Sequence, residues 1–128
     1  MRFVRFRNSL ATLAAEAHPD VIAYEEVARH VATAAAHIYG GLVAVLQTLA
    51  LSCEIEYVGI PVGTIKKHAT GKGNANKDRM IEAALERWPD AAIVDDNEAD
   101  ARWCAETAFA EIGNDDEDET GKPRQGRK

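Results

Sequence analysis

Three small groups of polar residues in this chain have the types and spacing to handle a phosphate. Glu25 and Glu26 close the apolar run "VIAYEEV". In "DDNEAD", Asp96 is followed by Asn97 and Asp100, and these last two, three apart, share one face of a helix. In residues 64–80, Lys66, Lys67, Lys72, Lys77 and Arg79 stand with Thr70 and two glycines against a single acid, Asp78. Carboxylates from a strand end and a helix start, with an amide oxygen beside them, make a hard-oxygen donor set suited to Mg²⁺ or Mn²⁺. Two such ions can clamp a phosphodiester for in-line attack by water. Lysines among glycines build backbone concavities that take anions. Each group also has an ordinary explanation: a solvated strand end, an acidic helix start that complements the dipole, a mobile surface loop. The basic stretch is no P-loop, because the GxxxxGK[ST] spacing fails from both Gly63 and Gly71. His18, His30, His37 and His68, with Cys53 and Cys104, show no zinc spacing.

The elements that must position these groups can be read from periodicity. Phe3, Phe6, Leu10, Leu13, Ala14 and Ala17 recur at helical spacing, predicting a helix over 2–17 that stops before Pro19. Val21 to Glu26 reads as a short buried strand with the two glutamates at its C-terminal end, where α/β folds commonly place ligands. Their side chains face opposite ways, so one of them serves a given site. A second helix is expected from Ala34 to Leu51, with Gly40 and Gly41 inside it at a cost of ~1 kcal/mol each relative to alanine. Close approach to a neighbouring element, or a kink, would account for them. "EIEYVGIPV" predicts a strand over 54–60 ended by Pro61. The basic segment is then expected as a flexible loop, followed by a helix from Ala75 to Arg87 halted by Pro89. "AAIV" is a connector or a short strand. Asp96 is the expected N-cap of a last helix closing at Gly113. Residues 114–128 contain no apolar side chain and are expected to be a disordered charged tail.

The element order αβαβαα predicts an α/β architecture, with helices on a small sheet whose two strands run parallel. The chain is long enough for one domain, 1–113. Two strands make a marginal sheet, and the chain opens in a helix, so strands are expected to be missing ahead of it or supplied by a partner. The formal net charge is −6, yet the bases gather in residues 64–80 and at Arg2, Arg5 and Arg7. A local basic patch is what meets phosphates, so the acidic total does not exclude nucleic acid. The unpaired cysteine spacing argues for reduced thiols. "GLVAVLQTLALSC" stops short of the ~20 apolar residues of a membrane span, and "MRFVRFRNSL" lacks the apolar core of a signal peptide. A soluble, cytoplasmic protein with no membrane association is expected.

Taken together, these segments resemble a known family. "TIKKHATGKGNANKDRMIEAAL" resembles the segment of RuvC-type Holliday-junction resolvases that runs Lys-Lys, Thr-Gly-x-Gly, x-Ala-x-Lys and into a helix. "VIAYEEV" resembles that family's second catalytic strand, and "DNEADA" its C-terminal Asp-x-x-Asp-Ala helix start. Order and spacing agree from about residue 2 to residue 112, and the wording is most similar to phage and bacterial RuvC-like nucleases. The resemblance implies a ribonuclease H-like three-layer fold, N-terminally truncated, with helices on a mainly parallel sheet. It places the strand glutamate on Glu25, ahead of Glu26, and the final aspartate on Asp100. The other helix acid falls on the neutral Asn97, for which Asp96 could compensate. Glu25, Asp100 and Asp96 are therefore the implied metal ligands, for Mg²⁺ or Mn²⁺. Lys66, Lys67, Thr70, Lys72 and Lys77 match the basic segment beside the scissile phosphates.

The implied activity is metal-dependent endonucleolytic cleavage of branched or four-way-junction DNA by a homodimer. The family's first-strand aspartate has no counterpart in this sequence. The alternative is a catalytically impaired remnant that binds DNA or dimerises without cutting, and a third reading is that Met1 is an internal methionine of a longer reading frame.

Overall fold

In a computed structural model of the chain, residues 2–28 and 32–115 are described, the last two as backbone. The elements run α1 (Arg2–Ala17), β1 (Val21–Glu26), α2 (Thr33–Ser52), β2 (Glu56–Pro61), α3 (Val62–Thr70), α4 (Lys77–Arg87) and α5 (Asp96–Asp115). β1 and β2 pair in a two-stranded parallel sheet. The α/β class, the first helix and the first strand stand as read from the sequence. Several boundaries differ, and α4 begins at Lys77 rather than Ala75. β2 begins two residues later than expected, after a turn through Glu54 at a positive φ of 57°. "AAIV" is a connector. The last helix continues to Asp115, while the tail expected to be disordered lies, from residue 116, outside the described residues.

A larger correction concerns the basic segment, which is not a flexible loop. Val62–Thr70 forms a nine-residue helix ended by Gly71 in the left-handed region at φ 83°, whose N–H donates to the Lys67 carbonyl at 2.8 Å. Ile65 is its buried anchor. Only six residues then separate α3 from α4, and they are ordered by specific bonds. The Lys72 N–H donates to Thr70 Oγ1, the Ala75 N–H to the Lys72 carbonyl, and the Arg79 N–H to the capping Asn76 Oδ1 at 2.9 Å. Periodicity alone concealed α3 because glycine, threonine and lysine crowd its turns.

The chain divides into two compact units. In the first, comprising residues 1–23 and 27–59, α1 packs on α2 around Ala14, Leu46, Leu49 and Ala50. Gly41 makes that approach possible: a Cβ there would lie 2.5 Å from the Phe3 ring, whereas one at Gly40 would meet nothing within 4 Å. The close-approach account therefore holds for Gly41 alone. α2 also corrects the expectation about apolar length. It is 20 residues long with mean hydropathy 1.5 and no charged side chain, so by length and composition it could cross a membrane. The glycine pair lies within the helix, as expected, and joins the alanine-rich start to the leucine-rich end.

The second unit comprises residues 24–26 and 60–128, of which 116–128 are not described. Here α3, α4 and α5 pack against one another. Ile60, Ile65, Met80, Ala83, Ala84, Ala99, Trp103 and Ala108 form its core. Alanine at four of these positions lets the helices approach closely, while Trp103 fills the centre.

Gly40→Ala should stabilise the protein by up to ~1 kcal/mol, since it improves helix propensity in open space. Gly41→Ala should lose that gain against the Phe3 ring and unfold at lower denaturant than Gly40→Ala. Urea titration of both variants checks this, and equal midpoints would show that Phe3 yields freely.

Candidate functional site

β1 delivers Glu25 at the strand's C-terminal end, and α5 delivers Asp96, Asp100 and Cys104, spaced four apart on one face of the helix. The start of α5 is fixed by a capping arrangement one residue earlier than the sequence suggests. Asp95, rather than Asp96, accepts the Glu98 N–H at 2.9 Å, and Glu98 reaches back to the Val94 N–H at 3.3 Å. Released from capping, Asp96 turns its carboxylate to Lys77 at 3.5 Å.

Glu25 and Asp100, 75 positions apart in sequence, are brought within electrostatic reach of one another. The Glu25 carboxyl is held above the usual carboxylate range, first by burial, then by the Asp100 charge, with Lys66 pulling the other way. Glu25 is exposed as a residue and its carboxyl is only partly buried. Asp100 is raised for the same leading reason, then by Asp96, and is opposed by Lys66 and Lys77. The Cys104 thiol is pushed up to about 11 by burial and then by Glu25, so it stays neutral at physiological pH. Glu25, Asp96, Asp100, Lys66 and Lys77 therefore form one cluster of alternating charge. Glu26 is the next residue of the strand, and the alternation of the pleat sends its side chain to the opposite face. Asn97 is exposed on the first turn of α5.

The remaining basic residues divide by role. Lys67 and Lys72 are exposed. The Thr70 hydroxyl is engaged with the backbone, lying 2.9 Å from the Lys66 carbonyl and 3.1 Å from that of Lys72. These bonds close the α3 turn. Lys77 extends outward with 83% of its side chain exposed.

As a metal site the donor set is thin. Among the described residues no three of His, Cys, Asp and Glu converge to hold an ion. Two ions held close together repel, and that repulsion has to be offset by several anionic ligands. Glu25 and Asp100 supply two carboxylates, and Asp96 is turned to a lysine. These residues do not by themselves fit a two-metal centre.

A second cluster was not read from the sequence. On α5, Glu106 lies 3.1 Å from His68 Nε2 of α3 and accepts a 2.7 Å bond from Arg87 Nε at the end of α4. Trp103 lies under this pair, edge-on to His68 with ring centroids 6.0 Å apart and tilted on Trp88 at 4.8 Å. The available signal was the spacing of Ala99, Trp103 and Glu106, which puts all three on one face of α5.

The fold that carries this arrangement is similar to that of solved RuvC structures. The solved structure of Thermus thermophilus RuvC matches with a TM-score of 0.72 and 22% identity, over 95% of this chain and 72% of that one. T. thermophilus RuvC in complex with a Holliday junction substrate matches with a TM-score of 0.77 and 20% identity, over the same shares. No protein-family model matches the sequence, and no curated protein does. The likeness is one of fold.

A carboxyl whose pKa is higher folded than unfolded binds more proton in the folded state, so stability falls as pH rises through that window. The charge on Glu25 therefore costs stability at neutral pH and costs nothing once the group is protonated in both states. Glu25→Gln should raise the thermal midpoint at pH 7, with the difference shrinking as pH falls below about 4. A midpoint difference independent of pH would exclude the charge as its cause.

Proposed function

We propose that the chain binds branched DNA in the manner of RuvC-type nucleases, with Glu25 and Asp100 facing the phosphodiester and Lys66, Lys67, Lys72 and Lys77 holding the backbone. The observation that carries this reading is the position of Lys66, within electrostatic reach of both carboxylates. An acid pair and a basic helix thus meet at one place in a fold whose solved example was captured with a Holliday junction. Resolvase chemistry adds Mg²⁺ or Mn²⁺, with Glu25 and Asp100 as the donors present. The thin donor set favours a second reading for this 128-residue chain, a DNA-binding and dimerising module that cuts weakly or not at all.

A four-way junction assembled from synthetic oligonucleotides tests both readings. Replacing Lys66, Lys67, Lys72 and Lys77 with alanine should weaken binding and flatten its dependence on salt, by ~0.9 in the log–log slope for each phosphate that is no longer neutralised. An unchanged slope would remove these lysines from the interface. In Mg²⁺ the unmodified chain should cleave weakly while binding is retained. Brisk, Glu25-dependent cleavage would refute the weak-cutting reading and mean that Asp95, Asp96 or Glu26 completes the site.

The proposal extends to a homodimer in the cytoplasm. α2 is uncharged, yet only Leu46, Leu49 and Ala50 on it are buried. Ile38, Leu42 and Val45, at i, i+4 and i+7, stay partly exposed and form an apolar stripe suited to a second copy of the same helix. A two-fold pair also suits a junction, which presents two related cut sites. Leu42→Glu should halve the mass measured by light scattering. An unchanged mass would take α2 out of the contact, and recovery of the protein in the membrane fraction would point to the lipid reading of this helix.

A further inference from the structure

We infer that Glu106 is the positioning residue of the site, a carboxylate clamp that fixes the lysine-bearing helix α3 against the acid-bearing helix α5. Its two oxygens are taken by two different helices: Oε2 lies 3.1 Å from His68 Nε2 on α3, and Oε1 accepts from Arg87 Nε on α4 at 2.7 Å. The Glu106 side chain is only 23% exposed, and His68 is held edge-on by Trp103 beneath it. The His68 side chain is 32% and that of Arg87 56% exposed, so solvent screens the charges and the clamp works by the direction of its two bonds. Lys66 precedes His68 by two residues on α3, and Lys77 opens the helix that ends at Arg87. One side chain therefore ties both lysine-bearing helices to the helix that carries Asp96 and Asp100. The clamp touches neither the acids nor the exposed lysines. It acts by setting the rotation and depth of the last turn of α3, which place Lys66 opposite Glu25 and Asp100.

The experiment compares the full chain with Glu106→Gln and with the apolar pair His68→Leu/Glu106→Leu. Hydrogen exchange is followed along α3 and α5, together with binding of the synthetic four-way junction across a salt series. In Glu106→Gln the amides of residues 68–71 should exchange roughly tenfold faster while those of 99–104 keep their rates, because a local opening raises exchange only where it occurs. Junction affinity should fall roughly three- to tenfold with a shallower salt slope, as fewer phosphates are engaged. The apolar pair should restore the thermal midpoint and leave the slope shallow. Unchanged exchange in 68–71, or uniform acceleration through α3, α4 and α5, would overturn the clamp. So would recovery of both midpoint and slope in the apolar pair, since the contact would then be packing alone. The DNA arm rests on the proposed function and the exchange arm does not. Selective exchange in a chain that binds no junction would refute that function and leave the clamp standing.

Discussion

Two carboxylates held close together under partial burial need counter-charge, and the second unit is arranged around that requirement. Burial raises the pKa of both Glu25 and Asp100, and neighbouring carboxylate charge raises each further. Lys66 opposes the effect at both groups and Lys77 at Asp100. For this balance to exist, α3 must be a helix rather than a loop, so that Lys66 has a fixed direction. The turn after it must be short, so that Lys77 begins α4 beside α5. The small side chains of the α3–α4–α5 core allow both. Ala83, Ala84 and Ala99 admit close helix approach, and Ile65 seats α3 from the side that Lys66 leaves free.

Much of this was legible in the sequence, for identifiable reasons. β1 was read to the residue because an apolar run bounded by proline and charge has one reading. α1 was equally plain from its phenylalanine and leucine spacing. The acid pair was legible because a strand end and a helix start are places where polar residues converge in α/β proteins. α3 was hidden because its sequence is rich in residues that also make loops, and the deciding factor, burial of Ile65, is tertiary. The capping of α5 was misplaced by one residue since "DD" offers two equivalent caps, and only Glu98 bonding back across the turn selects Asp95. Helical spacing puts Glu106 on the face of Ala99 and Trp103, but its contacts were not legible, because its partners lie 38 and 19 positions away.

Trp103 shows why the clamp and the acid face are separate features of one helix. Its ring is 5% exposed, and its indole N–H has no hydrogen-bond partner among the described residues, an imperfection that usually costs about 1–3 kcal/mol. That cost is accepted at the one position where a large ring can support His68 and Trp88 together. Arg87 and Arg102 lie over Trp88 from the outside, and Glu98 holds Arg102 four residues along the same helix. Aromatic and ionic contacts thus stiffen the face of α5 that bears 99, 103 and 106. The face bearing 96, 100 and 104 belongs to the same helix. It is set by what the first face holds still.

The lysines of the acid cluster have two uses on the proposed function, and the uses compete. Lys66 and Lys77 lower the electrostatic cost of Glu25, Asp96 and Asp100 in the free protein, and the same ammonium groups are the ones offered to a phosphate. An ammonium on a four-carbon stem is a point charge that can swing between partners, which a rigid guanidinium fork does less readily. A phosphate that drew Lys66 away would leave the acid pair with less counter-charge than before. The site would then favour whatever restores it, a proton or a cation. Free of DNA, the three carboxylates already outnumber the two lysines, and Glu25 and Asp100 already hold a proton more readily than free carboxyls do. On the proposed function, binding of nucleic acid and charging of the acid pair would therefore be linked through Lys66, and the rigidity of α3 would decide how strongly.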